Sequence, residues 1–180
     1  MTSIRLRPQG QQGQELQNLI ERLAAQHQTV SFRPHLTVCS VSDDPAVLDV
    51  AAAYIRECGL LPLKVAKTAV TGAVITPFRS VFIEVENSPA LREFRERLRD
   101  IGGAPALIPP YISLLYTLDR VSQSHRPDLD AEVLAAIAAR CAEAINDTDF
   151  TLSRPVVNST GATETDVRSW RVMRFLGEEP

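Results

Sequence analysis

A chain of 180 residues with 44% apolar content is long enough to bury a core, and it reads as one domain, 1–180, or two closely packed lobes. Its net charge of -3 argues against the basic stripe that grips a long nucleic acid, while leaving room for a local cationic site that takes a small nucleotide. No segment has the apolar length of a membrane span, and "MTSIRLRPQG" lacks a signal peptide's apolar run. Cys39, Cys58 and Cys141, odd in number and set in apolar periodic segments, read as buried thiols of a reducing compartment. A cytoplasmic monomer without disulfide, zinc site or cofactor is the expectation.

Ser3 to Arg7 alternates polar and apolar residues and predicts a strand, with the Gly/Gln-rich "PQGQQGQ" as its exit loop. Leu16, Leu19, Ile20 and Leu23 then share one helical face. "SFRPHLTVCSV" predicts the next strand, with Pro34 at its entrance, where a missing backbone donor is tolerated. Asp44-Pro45 reads as an N-cap and first helical position, leading to a helix with Val47, Leu48, Ala51, Ala52 and Ile55 inward that ends near Gly59. Strands are expected at 63–73 and 80–86, and Ser88-Pro89 opens a helix with Leu91, Phe94 and Leu98 inward, its dense charges solvated, ended by Gly102-Gly103. A strand over 112–118, a helix over 128–144 and segments near 150–158 and 170–176 complete the chain. Irregular alternation and the lack of a glycine-rich phosphate loop disfavour a doubly wound sheet and favour α+β.

"RPHLTVCS" at 33–40 has a degenerate echo in "PPYISLLY" at 109–116. His35 and Tyr111 are 76 residues apart, and so are Thr37 and Ser113. Residues two apart in a strand point to one side, so His35 projects with Thr37 and Tyr111 with Ser113. If the two strands face each other about an approximate two-fold axis, two hydroxyls and two acid-base or hydrogen-bonding groups surround one point. That arrangement suits a tetrahedral phosphate. A lone histidine beside a threonine is usually structural; the repetition is what raises the signal. His27 and His125 are expected at the surface.

With these motifs the sequence resembles the two-histidine phosphoesterases, in their cyclic phosphodiesterase branch. "FRPHLTV" and "PPYISLLY" are similar to that family's HxT and HxSLxY motifs, and "TAVTGAVITPFRSVFIEV" and Trp170 are similar to segments the branch carries between and after them. The resemblance implies a bilobal α+β fold of two pseudo-symmetric antiparallel lobes, helices outside and the site between. It implies metal-independent opening of a nucleoside 2',3'-cyclic phosphate or ADP-ribose 1'',2''-cyclic phosphate to a phosphomonoester. His35 matches the first catalytic histidine, Thr37 and Ser113 the phosphate-holding hydroxyls, and Tyr116 a tyrosine that contacts phosphate.

Tyr111 stands where the family has its second histidine. A tyrosine near pKa 10 donates hydrogen bonds but is a poor base at neutral pH, unlike a histidine near 6.5. Three readings follow: a hydrolase with His35 as base and Tyr111 as phosphate-positioning or proton-donating partner, a weakened relative that binds cyclic phosphates, or a position altered from histidine. A non-catalytic interaction domain is the reading from another class. Phe78 and Arg79 are candidate substrate contacts, as a stacking surface and a phosphate-facing cation, against a plain core and surface role. Trp170 is expected to pack between sheet and helix rather than on a base.

Overall fold

The computed structural model describes residues 2–8, 10–41, 44–58, 61–63, 65–105, 109–145, 150–159 and 171–175. Their elements are β1 (Thr2–Pro8), α1 (Gly10–His27), β2 (Leu36–Val41), α2 (Pro45–Cys58), β3 (Leu61–Leu63), β4 (Val65–Thr76), β5 (Arg79–Val85), α3 (Pro89–Asp100), β6 (Gly103–Pro105), β7 (Tyr111–Leu115), α4 (Ala131–Ile145), β8 (Phe150–Ser159) and β9 (Arg171–Phe175). The fold is α+β. The strands pair antiparallel in the order β3-β8-β1-β2-β7-β5-β4, with β6 also on β2 and β9 also on β8. Among the described residues no helix is long and apolar enough to cross a membrane.

One rung of the sheet sets the register of everything near the repeated motif. Leu6 pairs with Leu36, Leu36 with Ile112, and Ile112 with Ile83, so four buried aliphatic side chains cross β1, β2, β7 and β5 on one face. The helices cover that face: α1 packs on β1 and β7, α3 on β2, and α4 on β4 and β5. Leu16 and Ile20 of α1, Leu91 and Leu98 of α3 and Leu134 and Ile137 of α4 join the rung in one apolar cluster. Burying a leucine or isoleucine fully is worth about 1.5–3 kcal/mol, so a one-residue slip that turned the rung to the other face is strongly opposed.

The segment 8–14 departs from the expected loop, because α1 already begins at Gly10. Its glutamines bond along the helix, Gln11 to Glu15 and Gln14 to Asn18, both at 2.9 Å, which turns a loop-like composition into helix. Gly13 allows the first turn to sit on Pro8, whose carbonyl oxygen occupies the space of a Cβ. Asp44 caps α2 by accepting from the Ala46 N–H, and Ser88 caps α3 by accepting from the Leu91 N–H, both as the sequence predicts.

Other boundaries move. The strand expected over 63–73 is split between β3 and β4, and β7 stops at Leu115 while Leu118 bridges to His125. Leu129 precedes α4, whose cap is Asp130, accepting from Glu132 and Val133 N–H at 3.0 Å. β6 has no signal beyond Gly102-Gly103, the second of which opens it. Gly59 and Trp170 lie outside the described residues.

Candidate active site

Residues one position either side of the aliphatic rung point to the face away from the helices. On β1 these are Arg5 and Arg7, on β2 Thr37 with His35 just before the strand, on β7 Tyr111 and Ser113, and on β5 Phe82 and Glu84. Arg5 pairs with Thr37, Tyr111 with Glu84 and Ser113 with Phe82. With Leu36 opposite Ile112, antiparallel geometry sets Thr37 beside Tyr111 and His35 beside Ser113. The sheet thus brings together the four motif residues named from the sequence.

His35 is half-buried. Its Nδ1 lies 2.7 Å from the Arg33 carbonyl oxygen, which can only accept, so Nδ1 carries the proton and Nε2 keeps a lone pair. Burial, reinforced by the Arg5 and Arg7 charges and opposed by that backbone hydrogen bond, holds its pKa well below the ordinary histidine range. The imidazole is therefore a neutral base at pH 7.

Burial pushes the Tyr111 phenol above its ordinary value, against the pull of Arg79 and Arg5. The Arg79 guanidinium sits 4.5 Å from the Phe82 ring centroid and 4.8 Å from that of Tyr111, and the two rings meet edge to face at 5.5 Å. Such cation–π contacts are worth about 0.5–2 kcal/mol each and fix the Tyr111 ring. Arg79, half-buried, is thus a partner of Tyr111 rather than a plain surface residue. Phe78 instead packs edge-on against Tyr116 at 5.3 Å, as a core aromatic.

Ser113 is buried and donates to the Phe78 carbonyl at 2.6 Å. Its proton is committed to the protein, and its lone pairs are what it offers to a donor. Tyr116 is only 2% exposed and stacks on Phe32 with centroids 3.6 Å apart. Burial drives its phenol pKa up, while Arg5 lowers it and Tyr111 raises it.

Sequence reasoning missed Arg5. It is 6% exposed on a strand whose other face, Ile4 and Leu6, is also buried. Burial lowers its pKa, with Tyr116 and Tyr111 raising it and Arg7 lowering it. The signal was present in the alternation of "SIRLR", which puts Ser3, Arg5 and Arg7 together; that this polar face is covered was not legible. His27 is half-buried at the end of α1, whereas His125 is exposed as expected, and neither joins the motif residues.

Among the described residues no three His, Cys, Asp or Glu side chains converge as a metal site would require. A cavity of about 330 Å³ lies elsewhere, between α1 and the end of α4, lined by Gln12, Glu15, Asn18, Arg22 and Ile145. No family model matches the chain, and a search of the curated proteins finds no match.

Proposed function

We propose that the protein hydrolyses a small cyclic phosphodiester, a nucleoside 2',3'-cyclic phosphate or ADP-ribose 1'',2''-cyclic phosphate, without a metal, as a bilobal two-histidine phosphoesterase with a tyrosine in the second motif. The observation that carries this reading is the pairing of Leu36 with Ile112. These residues hold equivalent places in the repeated motif, so an antiparallel pair that opposes them has a local two-fold axis between them. Such an axis sets each motif's first residue beside the other's hydroxyl, His35 with Ser113 and Tyr111 with Thr37.

The chemistry follows from two environments that push acid and base apart. Nε2 of His35 takes a proton from water as the water oxygen bonds to phosphorus. The bond from phosphorus to one ribose oxygen breaks, and the Tyr111 hydroxyl gives that oxygen its proton. The Tyr111 phenolate, favoured by the charges of Arg79 and Arg5, regains a proton from solvent or from the His35 imidazolium. Thr37 and Arg5, opposite each other, donate to the phosphate oxygens on which charge grows. One acid-base partner is worth about 10²–10⁴-fold in rate.

A second reading, a binder of cyclic phosphates with little turnover, is favoured by the Ser113 hydroxyl, whose donation to Phe78 leaves one phosphate donor fewer. Hydrolysis of the cyclic phosphate panel in EDTA separates the two, using the native chain, His35→Ala and Tyr111→His. Turnover abolished by His35→Ala supports the hydrolase. Activity only in Tyr111→His supports the binder, and no binding or turnover of any panel member sinks both in favour of a non-catalytic domain.

A further inference from the structure

The hydrogen bond from Ser113 to the Phe78 carbonyl ties β7 to the turn between β4 and β5, 35 residues away in sequence. That turn is tight, with Thr76 paired to Arg79, and it is fastened at other points too. The Thr117 N–H donates to the Pro77 carbonyl at 2.9 Å, and the Ser80 hydroxyl donates to the Thr76 carbonyl at 3.0 Å. Ser113, at 2.6 Å, holds the carbonyl of the residue just before Arg79. What the turn delivers is Arg79. Its side chain runs back along β5, because its guanidinium lies 4.5 Å from the ring centroid of Phe82 and 4.8 Å from that of Tyr111. Phe82 stands opposite Ser113, and Tyr111 belongs to the same motif, so the charge is held at the second motif's half of the site.

Among the described residues Arg79 forms no ion pair, and its buried Nε–H has no acceptor. A half-buried guanidinium left in that state is costly, and a phosphate supplies both the opposite charge and the acceptor. We infer that Ser113 is a positioning residue and that Arg79 is the phosphate contact of the second motif's half. The hydroxyl that the resemblance assigns to phosphate holds Phe78 instead, and the next residue reaches the phosphate in its place. This rests on the proposed phosphate site at Thr37 and Arg5, which Arg79 completes from the Tyr111 side. A hydroxyl offers one dipole, whereas a guanidinium offers a full charge and two parallel N–H groups that match two phosphate oxygens. The arrangement makes up the donor that Ser113 withholds, and it puts a cation beside a proton donor that is itself neutral.

The test is a double-mutant cycle, read by calorimetric titration in EDTA with nucleoside 2'- and 3'-phosphates and by hydrolysis of the matching 2',3'-cyclic phosphates. Native protein, Arg79→Gln, Arg79→Lys, Ser113→Ala, Ser113→Thr and the double variant of Arg79→Gln with Ser113→Ala are compared. Arg79→Gln should weaken binding by about tenfold or more, the scale of one charge-assisted hydrogen bond, and Arg79→Lys should lose less. The native affinity should also fall with salt more steeply than that of Arg79→Gln, which a loss acting through the Tyr111 ring alone would not produce. Ser113→Ala should cost about threefold to tenfold in the native background, and Ser113→Thr, which keeps the hydroxyl, should recover part of it. In the Arg79→Gln background the same Ser113→Ala change should cost less than about twofold, because Ser113 acts through Arg79. Native affinity in Arg79→Gln, or a Ser113→Ala loss that adds in full to that of Arg79→Gln, overturns the inference, and turnover of the cyclic phosphates then leaves the hydrolase standing. If Ser113→Ala fails to fold, the affinity of Arg79→Gln and its salt dependence still decide. Coupled losses of binding without turnover refute the hydrolase and leave the inference standing, and no binding of any ligand removes both.

Discussion

If Tyr111 is the acid and His35 the base, the pH dependence of hydrolysis follows from which way each environment moves its group. His35 must be unprotonated, and its pKa is held well below the ordinary histidine value by burial and by Arg5. Tyr111 must be protonated, and burial raises its pKa above the ordinary tyrosine value. The rate therefore has no limb between pH about 6.5 and about 10, the ordinary values of the two groups. Replacing Tyr111 with histidine moves the acid limb of the mechanism into this window. At pH 8 an ordinary histidine is protonated in about 3% of molecules, against about 99% for an ordinary tyrosine. The variant's kcat/KM should fall about tenfold per pH unit above pH ~6.5, while the native profile stays flat. Tyr111→Phe should lose about 10²–10⁴-fold at every pH in the window. The assay is kcat/KM for a nucleoside 2',3'-cyclic phosphate from pH 5 to 10 in EDTA. A native alkaline limb below pH 9, or a Tyr111→Phe variant as fast as the native chain, refutes the assignment of the proton to Tyr111.

Three further outcomes test the fold around the site. In Gly72→Ala the new Cβ meets the Leu134 carbonyl, with Ala135 N at 2.9 Å, so α4 must lift from β4. The expected loss is about 1–3 kcal/mol, seen in thermal melts as a drop of roughly 2–4 °C per kcal/mol, and an unchanged Tm contradicts the close approach. Burial pushes the Cys39 thiol up to about 12 and the Cys141 thiol to about 11, whereas Cys58 is half-buried. A thiol reagent at pH 8 should thus label Cys58 first in the native chain, with the other two reacting only on unfolding, and equal native rates at all three would disprove it. His35 has a lower pKa folded than unfolded, so the unfolded chain binds its proton first. The stability it confers is full above pH ~6.5 and is lost as pH falls through the folded pKa. Urea midpoints of the native chain should fall in that range and those of His35→Gln should fall less; parallel curves count against a half-buried His35 held neutral.

Local patterns carried much of this structure. The period of Leu16, Leu19, Ile20 and Leu23 specifies α1 because any helix that buries them must present one face. Ser88-Pro89 specifies the start of α3 because a side-chain acceptor and a residue with no N–H meet there. Composition misled at 8–14, where the glutamine bonds along α1 and the approach of Gly13 to Pro8 outweigh the loop-like look of glycine. In the candidate site, the repeat identified His35, Thr37, Tyr111 and Ser113, since strand alternation alone says that each pair shares a side. It could not say which residue of one copy lies beside which of the other.

The sequence by itself determined most of the elements and the repeated motif, with histidine at 35 and tyrosine at 111, because these depend on neighbours along the chain. Tertiary structure decided that β2 and β7 lie side by side with Leu36 against Ile112, that Arg5 is buried beside Thr37, and that Arg79 lies against Tyr111. Those are contacts between segments distant in sequence. They follow from the burial of one aliphatic rung, whose energy depends on all four strands at once and is written in no single stretch of residues.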